Sequence, residues 1–187
     1  MRTIVPASKN PALREKARDI IPADIKGKRI QSLIVEMKKL LSKEEYGVAL
    51  AAPQVGEPVR LFIVSGRALA RDARNAPDEP HGANSELEAR SSKLEAIPDQ
   101  VYINPKLTKL SRAKSAKHEG CLSLRGKWGT VSRAEKATIQ AYDADGRTFL
   151  RGASGFLAHV FQHEMDHLEG ILYTDKAIEL YDEGKKE

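Results

Sequence analysis

Residues 162–170 read QHEMDHLEG, and no other stretch restricts the fold as tightly. The spacing predicts a helix that starts near Ser154, a plausible N-cap, and ends by Gly170, a plausible C′ residue. On that helix His163 and His167, four apart, project from one face a single turn from each other. Phe156 and Val160 complete their stripe, and Leu157, Phe161 and Leu168 widen it, so the face is apolar and must be covered. A buried imidazole without a partner costs roughly 2 kcal/mol or more. A shared metal ion would supply a partner to both. Glu164 points about 100° round the helix and can lie beside such an ion without ligating it, the H-E-x-x-H arrangement. The competing reading is a helix with two unrelated histidines. His159 continues the spacing, but its Cα would lie ~12 Å from that of His167, too far to share one ion. It reads as structural or exposed.

A catalytic metal site needs a third protein ligand and an open position. In the HExxHxxGxxH spacing the third histidine is replaced by Tyr173, and in the thermolysin-like spacing the ligand would be Glu187, the last residue. Both fail on residue type or position. Cys121, in EGCLS, is the remaining candidate, because a thiolate is a strong soft ligand and the adjacent Gly120 permits close backbone approach. Two rival readings of Cys121 are an inert buried thiol and a nucleophile with a histidine base. The nucleophile reading leaves the second histidine and Glu164 without a role.

The rest of the chain bounds the setting. At 187 residues, 41% hydrophobic and 30% charged, it is expected to be a single catalytic domain over 1–187 with a real core. It has no apolar run of ~18 residues and no N-terminal h-region, so neither a membrane span nor a secretory signal is expected. A single cysteine makes a reducing cytoplasm the natural compartment. The net charge of +5 favours acidic surfaces only loosely. Without a block of five basic residues, and with one Trp, five Tyr and four Phe, dedicated nucleic-acid binding is rejected and no direct DNA contact is expected.

Asn10 and Pro11 read as the cap and first turn of a short helix, and a longer helix is expected over roughly Ala23 to Glu45 on the stripe Ile30, Leu33, Ile34, Met37, Leu40 and Leu41. VRLFIV and VYINP read as strands, KHEGCLSL and GTVSRAEK as extended pieces, and TIQAYD-ADG-RTFLRG as a hairpin. From about 67 to 96 few large aliphatics occur among many charges, which predicts a polar surface insertion that buries little and is partly disordered. The element pattern is α+β: antiparallel strands packed around a central helix carrying HExxH.

GVALAAPQ, EGCLS and QHEMDH, in that order, resemble the three signature motifs of peptide deformylases. NPALREKA, INP, SRAEK and HLEGILYTD agree, so the resemblance spans most of the chain outside 67–96 and the last few residues. It implies a similar fold, with Cys121, His163 and His167 binding one divalent ion: Fe²⁺ natively, with Zn²⁺, Ni²⁺ or Co²⁺ able to replace it. The implied reaction is hydrolysis of the N-formyl group from the initiator N-formylmethionine of nascent polypeptides, releasing formate. Glu164 would be general base and then acid, and the Gln54 amide and Leu122 N–H would be donors to the oxyanion. Val48 and Ala49 on one side, and Glu119 and Gly120 on the other, would flank an extended peptide. Val48, Phe156, Val160 and His163 would wall an apolar methionine pocket.

Three features depart from the family pattern. Ala49 stands where glycine is usual, so a methyl group could restrict the backbone there, and RGKWG follows EGCLSL where proline is common. Trp128 is read equally as core cover or as peptide contact. The chain stops with YTDKAIELYDEGKKE, where some relatives extend as a C-terminal helix that docks on the ribosome, so that contact is not assumed and the ribosome is a partner that the charge permits and nothing more. Two rival functions remain: an HExxH metalloprotease cleaving internal bonds, and a non-catalytic metal or peptide binder.

Overall fold

Alternation along strand β2, Leu61–Val64, sets the layers. Leu61 and Ile63 point to one side and Phe62 and Val64 to the other, and all four are buried. A strand buried on both faces needs a partner layer on each. The computed structural model describes residues 2–74 and 97–182. In it a five-stranded antiparallel sheet runs in the order β1-β2-β3-β6-β7: β1 (Ala49–Ala51), β2, β3 (Gln100–Leu110), β6 (Lys136–Tyr142) and β7 (Thr148–Ser154). One face takes α1 (Lys28–Lys43), whose Ile30, Leu33, Ile34, Met37 and Leu41 meet Leu61, Ile63, Val101 and Ile103. The other face takes α3 (Gly155–Leu168), whose Leu157, Phe161 and Leu168 join Phe62, Val64, Tyr102 and Ile139. The rings of Phe62 and Tyr102, paired across β2 and β3, stack at 4.6 Å, with Phe161 edge-on to Tyr102 at 5.3 Å.

A second sheet covers the remaining side of α3. Its order is β4-β5-β8, with β4 Lys114–Gly120, β5 Lys127–Ala134 and β8 Glu179–Asp182, all antiparallel. The helix that carries the histidines thus lies between two sheets, the expected α+β arrangement.

The N-terminal segment joins these layers. Val5 N–H donates to Gln54 O at 2.9 Å, Ala7 N–H to Ser123 O at 2.8 Å, and Ala17 N–H to Leu168 O at 2.9 Å. Asn10 does not cap the turn that follows it, which is only a four-residue 3-10 helix, Pro11–Arg14. Its buried amide donates to Pro53 O at 2.8 Å instead. The long helix starts at Lys28 rather than Ala23. Pro22–Asp24 form a separate 3-10 turn, and Gly27, in extended backbone, is the N-cap. In the β6–β7 hairpin the Asp143 carboxylate accepts from Asp145 and Arg147 N–H, and Gly146 takes φ +75°.

Two differences bear on the site. Residues 66–74, expected to open a surface insertion that buries little, form helix α2 (Gly66–Arg74), with Ala68, Leu69 and Ala70 buried and Leu69 in the α3 core. Ala68 and Ala70 are small enough to let α2 pack closely around Leu69, so one large aliphatic side chain suffices to anchor it. The remainder of that insertion, 75–96, with its expected disorder, lies outside the described residues. The second difference is β8, which sequence reading left without an element.

Candidate metal centre

The three ligand candidates come from two elements, the end of β4 and the helix α3. Cys121 follows the end of β4, where Leu124 N–H turns back onto Cys121 O at 2.9 Å. His163 and His167 stand on consecutive turns of α3, their rings 4.7 Å apart and nearly perpendicular. One ligand atom from each of the three residues lies within 4.8 Å of the other two. Cys121 Sγ is 3.3 Å from His167 Nε2. Donors around a tetrahedral ion with bonds of ~2.0–2.3 Å sit about 3.3–3.8 Å apart, so this spacing accepts one ion with little movement. The donor set, one soft sulfur and two imidazoles, leaves a fourth position for a small ligand.

The polar atoms around the triad are held from behind. His163 Nδ1 faces Glu119 Oε2 at 2.9 Å, which leaves its other nitrogen for the ion, the arrangement usual for a metal-bound histidine. Glu119 is itself held by the Arg133 guanidinium through Nε and Nη2, and Arg133 Nη1 donates to Asp166 Oδ2 at 2.8 Å. Asp166 also accepts from Lys176 Nζ at 2.6 Å. His159 is buried rather than exposed. Its Nε2 lies 3.4 Å from Ser115 Oγ and its Nδ1 3.7 Å from Glu119 Oε1, so it has a structural place and no part in the triad.

These contacts set the charges. Burial opposes ionisation of Glu119, yet the hydrogen bonds from Arg133, His159 and His163 hold its carboxyl well below the usual carboxylate range. Burial also opposes a proton on His163, but the hydrogen bonds of Cys121 and Glu119 and the charges of Cys121 and Glu164 push it up to about 10. A site that draws a proton between a thiol and a carboxylate is one that a cation would satisfy equally well. His167, fully buried, is pushed well below its ordinary value by burial and by the charges of His163 and Arg133, which keeps it a neutral donor. Glu164 is buried, its Oε2 has no hydrogen-bond partner among the described residues, and burial pushes its carboxyl up to about 7. A carboxyl tuned near neutrality can both take and give a proton.

Gln54 lies in the 3-10 turn Ala52–Val55. Its Oε1 accepts from Ala51 N–H at 2.8 Å, which fixes the amide so that Nε2 points at Cys121 Sγ (3.3 Å) and Ser123 Oγ (3.5 Å). The Leu122 N–H has no partner among the described residues. On the substrate side β1 and β4 are edge strands of their sheets. Ala49 pairs with Val64, its side chain is buried, and its backbone stays outside the left-handed region, so the methyl group sits without strain. Val48 and Phe156 pack on the same apolar cluster as Val160. Gly120 lets the Trp128 ring of β5 lie close over it: a Cβ there would meet the ring at 3.3 Å, so the ring, 37% exposed, would have to shift by a few tenths of an ångström.

The rival ligands do not converge on the triad. The Tyr173 hydroxyl donates to Lys127 O at 2.9 Å, and Glu187 lies outside the described residues. In the sequence Arg133 stands only as a motif neighbour, in SRAEK, and Asp166 carries no visible role. The available signal was Arg133 in register with Val131 on the buried side of β5, a charged residue where an apolar one is expected.

Residues 1–183 match the family model described as polypeptide deformylase. The chain is 36% identical over 172 residues to the chloroplastic/mitochondrial peptide deformylase 1A of Arabidopsis thaliana, covering 92% of this chain and 60% of that protein's length. It is 35% identical over 170 residues to the peptide deformylase of Dictyoglomus thermophilum, covering 91% of this chain and 89% of the relative. Among solved structures it resembles the peptide deformylase of Thermotoga maritima (TM-score 0.73, 23% identity, 96% of this chain and 99% of that one). It also resembles the Synechococcus elongatus peptide deformylase in complex with actinonin (TM-score 0.72, 27% identity, 95% and 79%).

Proposed function

This chain belongs to the polypeptide deformylase family, and from that premise we infer that it is a metal-dependent hydrolase removing the N-formyl group from the initiator N-formylmethionine of nascent polypeptides, with release of formate. The observation that carries the reading is the convergence of Cys121, His163 and His167 on one point, with a buried, unpartnered carboxylate on the same helix. A structural metal site needs no such carboxylate. At the usual metalloprotease spacings the third ligand would be Tyr173, whose hydroxyl is engaged with Lys127 O, or Glu187, which lies outside the described residues.

Cys121, His163 and His167 hold the ion, Fe²⁺ in the cell, with Zn²⁺, Ni²⁺ or Co²⁺ as possible substitutes. When bound, the ion lowers the pKa of a water toward ~7 and polarises a carbonyl oxygen. Glu164 takes the proton from the attacking water and passes it to the departing amine. The Gln54 Nε2 and the Leu122 N–H receive the negative charge that develops on the formyl oxygen. The peptide adds as a strand between Val48–Ala49 and Glu119–Gly120. The first side chain lies against Val48, Phe156, Val160 and His163. The whole chain forms one catalytic domain that works in the cytoplasm on chains leaving the ribosome. No helix among the described residues is long and apolar enough to cross a membrane.

The test is to purify the protein without oxygen, measure bound metal, and follow formate release from a formyl-Met peptide. Glu164→Ala is expected to keep the ion and lose formate release, whereas Cys121→Ser loses or changes the ion. Formate release surviving in Glu164→Ala would reject the proton transfer, and cleavage of unformylated peptides at internal bonds would favour a protease.

A further inference from the structure

The pocket expected to take the first side chain is not apolar to its end. Its wall on α3 runs from His163 back through Val160 to Phe156 in the first turn. Facing α3, β4 alternates so that Ser115, Lys117 and Glu119 share one side: Ser115 reaches His159 at 3.4 Å and Glu119 reaches His163 at 2.9 Å. Lys117, between them and half-buried, extends toward the start of the helix. Its Nζ lies 4.0 Å from where a Cβ on Gly155 would stand, beside Phe156. No carboxylate among the described residues pairs with it, and Glu119, on its own face, is committed to Arg133 and His163. A second cation stands at the same end. The Arg71 guanidinium lies 4.8 Å over the Phe156 ring, again without a carboxylate partner among the described residues.

Resting on the deformylase reading above, we propose that Lys117 is a specificity-determining residue whose ammonium closes the first-side-chain pocket and extends its range from methionine to side chains that carry an acceptor oxygen on the δ atom. Covering an unpaired ammonium with a thioether removes water and returns no hydrogen bond. A methionine sulfoxide keeps the length of methionine and presents an oxygen there, and glutamate presents a carboxylate at the same distance. A pocket built to donate to a ligand oxygen discriminates against the analogue that lacks it.

The experiment uses the metal-loaded full chain and four formyl peptides that differ only in their first residue: methionine, norleucine, methionine sulfoxide and glutamate. For each protein the readout is kcat/KM relative to formyl-norleucine, a ratio in which partial misfolding cancels. In Lys117→Met the sulfoxide and glutamate ratios are expected to fall about 10-fold or more, chiefly through KM, while Lys117→Arg retains most of both. A fall in the glutamate ratio alone supports Lys117 acting through charge, and a fall in both supports acceptance by any oxygen. Unchanged ratios in Lys117→Met, with formyl-norleucine still hydrolysed, overturn this proposal and spare the deformylase reading. Absence of formate release from all four peptides in the parent protein overturns that reading and this one together.

Discussion

Replacing Arg133 with methionine removes the single cation that holds two buried carboxylates. Arg133 is 4% exposed, and Glu119 and Asp166 are 8% and 9% exposed. The guanidinium makes two bonds to Glu119 and one to Asp166. After the change Asp166 keeps Lys176, but Glu119 keeps only histidines. Breaking a buried pair by deleting one partner costs about 3–5 kcal/mol, because the other charge is left in a poor solvent. In a chain of this length each kcal/mol lowers the midpoint by about 2–4 °C, so the expected drop is about 6–20 °C. The effect should reach the ligands, because Glu119 orients His163, and loss of such support weakens metal binding by about 10–100-fold. Thermal unfolding of chelator-treated protein measures the first effect, and zinc competition against a chromophoric chelator the second. Adding Glu119→Gln should recover part of the stability, since the uncompensated charge is then gone. An Arg133→Met protein that melts within 2 °C of the parent and binds zinc equally well would refute the network.

Three further outcomes are expected. Gln54→Ala should lower kcat for formate release by about 10²–10³ with metal content unchanged, because its amide sits beside the ligands without being one; colorimetric metal analysis and turnover check the two halves. Leu69→Ala should cost about 2–4 kcal/mol in a urea titration, since this residue of α2 is 2% exposed in the α3 core, and a near-zero change would mean α2 is not part of that core. Burial raises the Glu57 carboxyl, but the hydrogen bonds and charges of Arg2 and Arg29 prevail and lower it. Its stabilising contribution is therefore present above the unfolded value near ~4.3 and is lost as pH falls through the folded one. Glu57→Gln should flatten the decline of the urea midpoint between pH 5 and 3.

Much of this was legible before any coordinates, for identifiable reasons. The α3 stripe, the β2 run and the Asp-Gly hairpin are local patterns in which one period or one turn residue decides the outcome. The pairing of Cys121 with the histidines was legible because Cys121 is the chain's one thiol and lies in the second of three motifs that occur in order. What escaped was decided across the chain. Asn10 has the residue type of a helix cap and spends its amide on Pro53, a partner 43 positions away. Leu69 looked isolated in a polar stretch because the α3 face that receives it is far off in sequence. Arg133 and Asp166 stand inside motif strings without any local sign of their pairing, which exists only because β5 and α3 turn them toward each other.

The first residues of the chain close hydrogen bonds to Gln54, Ser123 and Leu168, one for each motif segment of the site. During synthesis residues 5–17 leave the exit tunnel well before any of those partners, and the last of them follows some 150 residues later. A mature centre therefore cannot be reached by accretion from the N-terminus. It must wait for a late closure in which the segment 5–17, two 3-10 turns and their flanks, is fastened to the end of α3, and such distant pairings are the ones that slow folding. Deleting residues 2–9 should leave both sheets able to form while unfastening the loops that hold Gln54 and Ser123, so that the polypeptide collapses normally yet acquires its ion slowly.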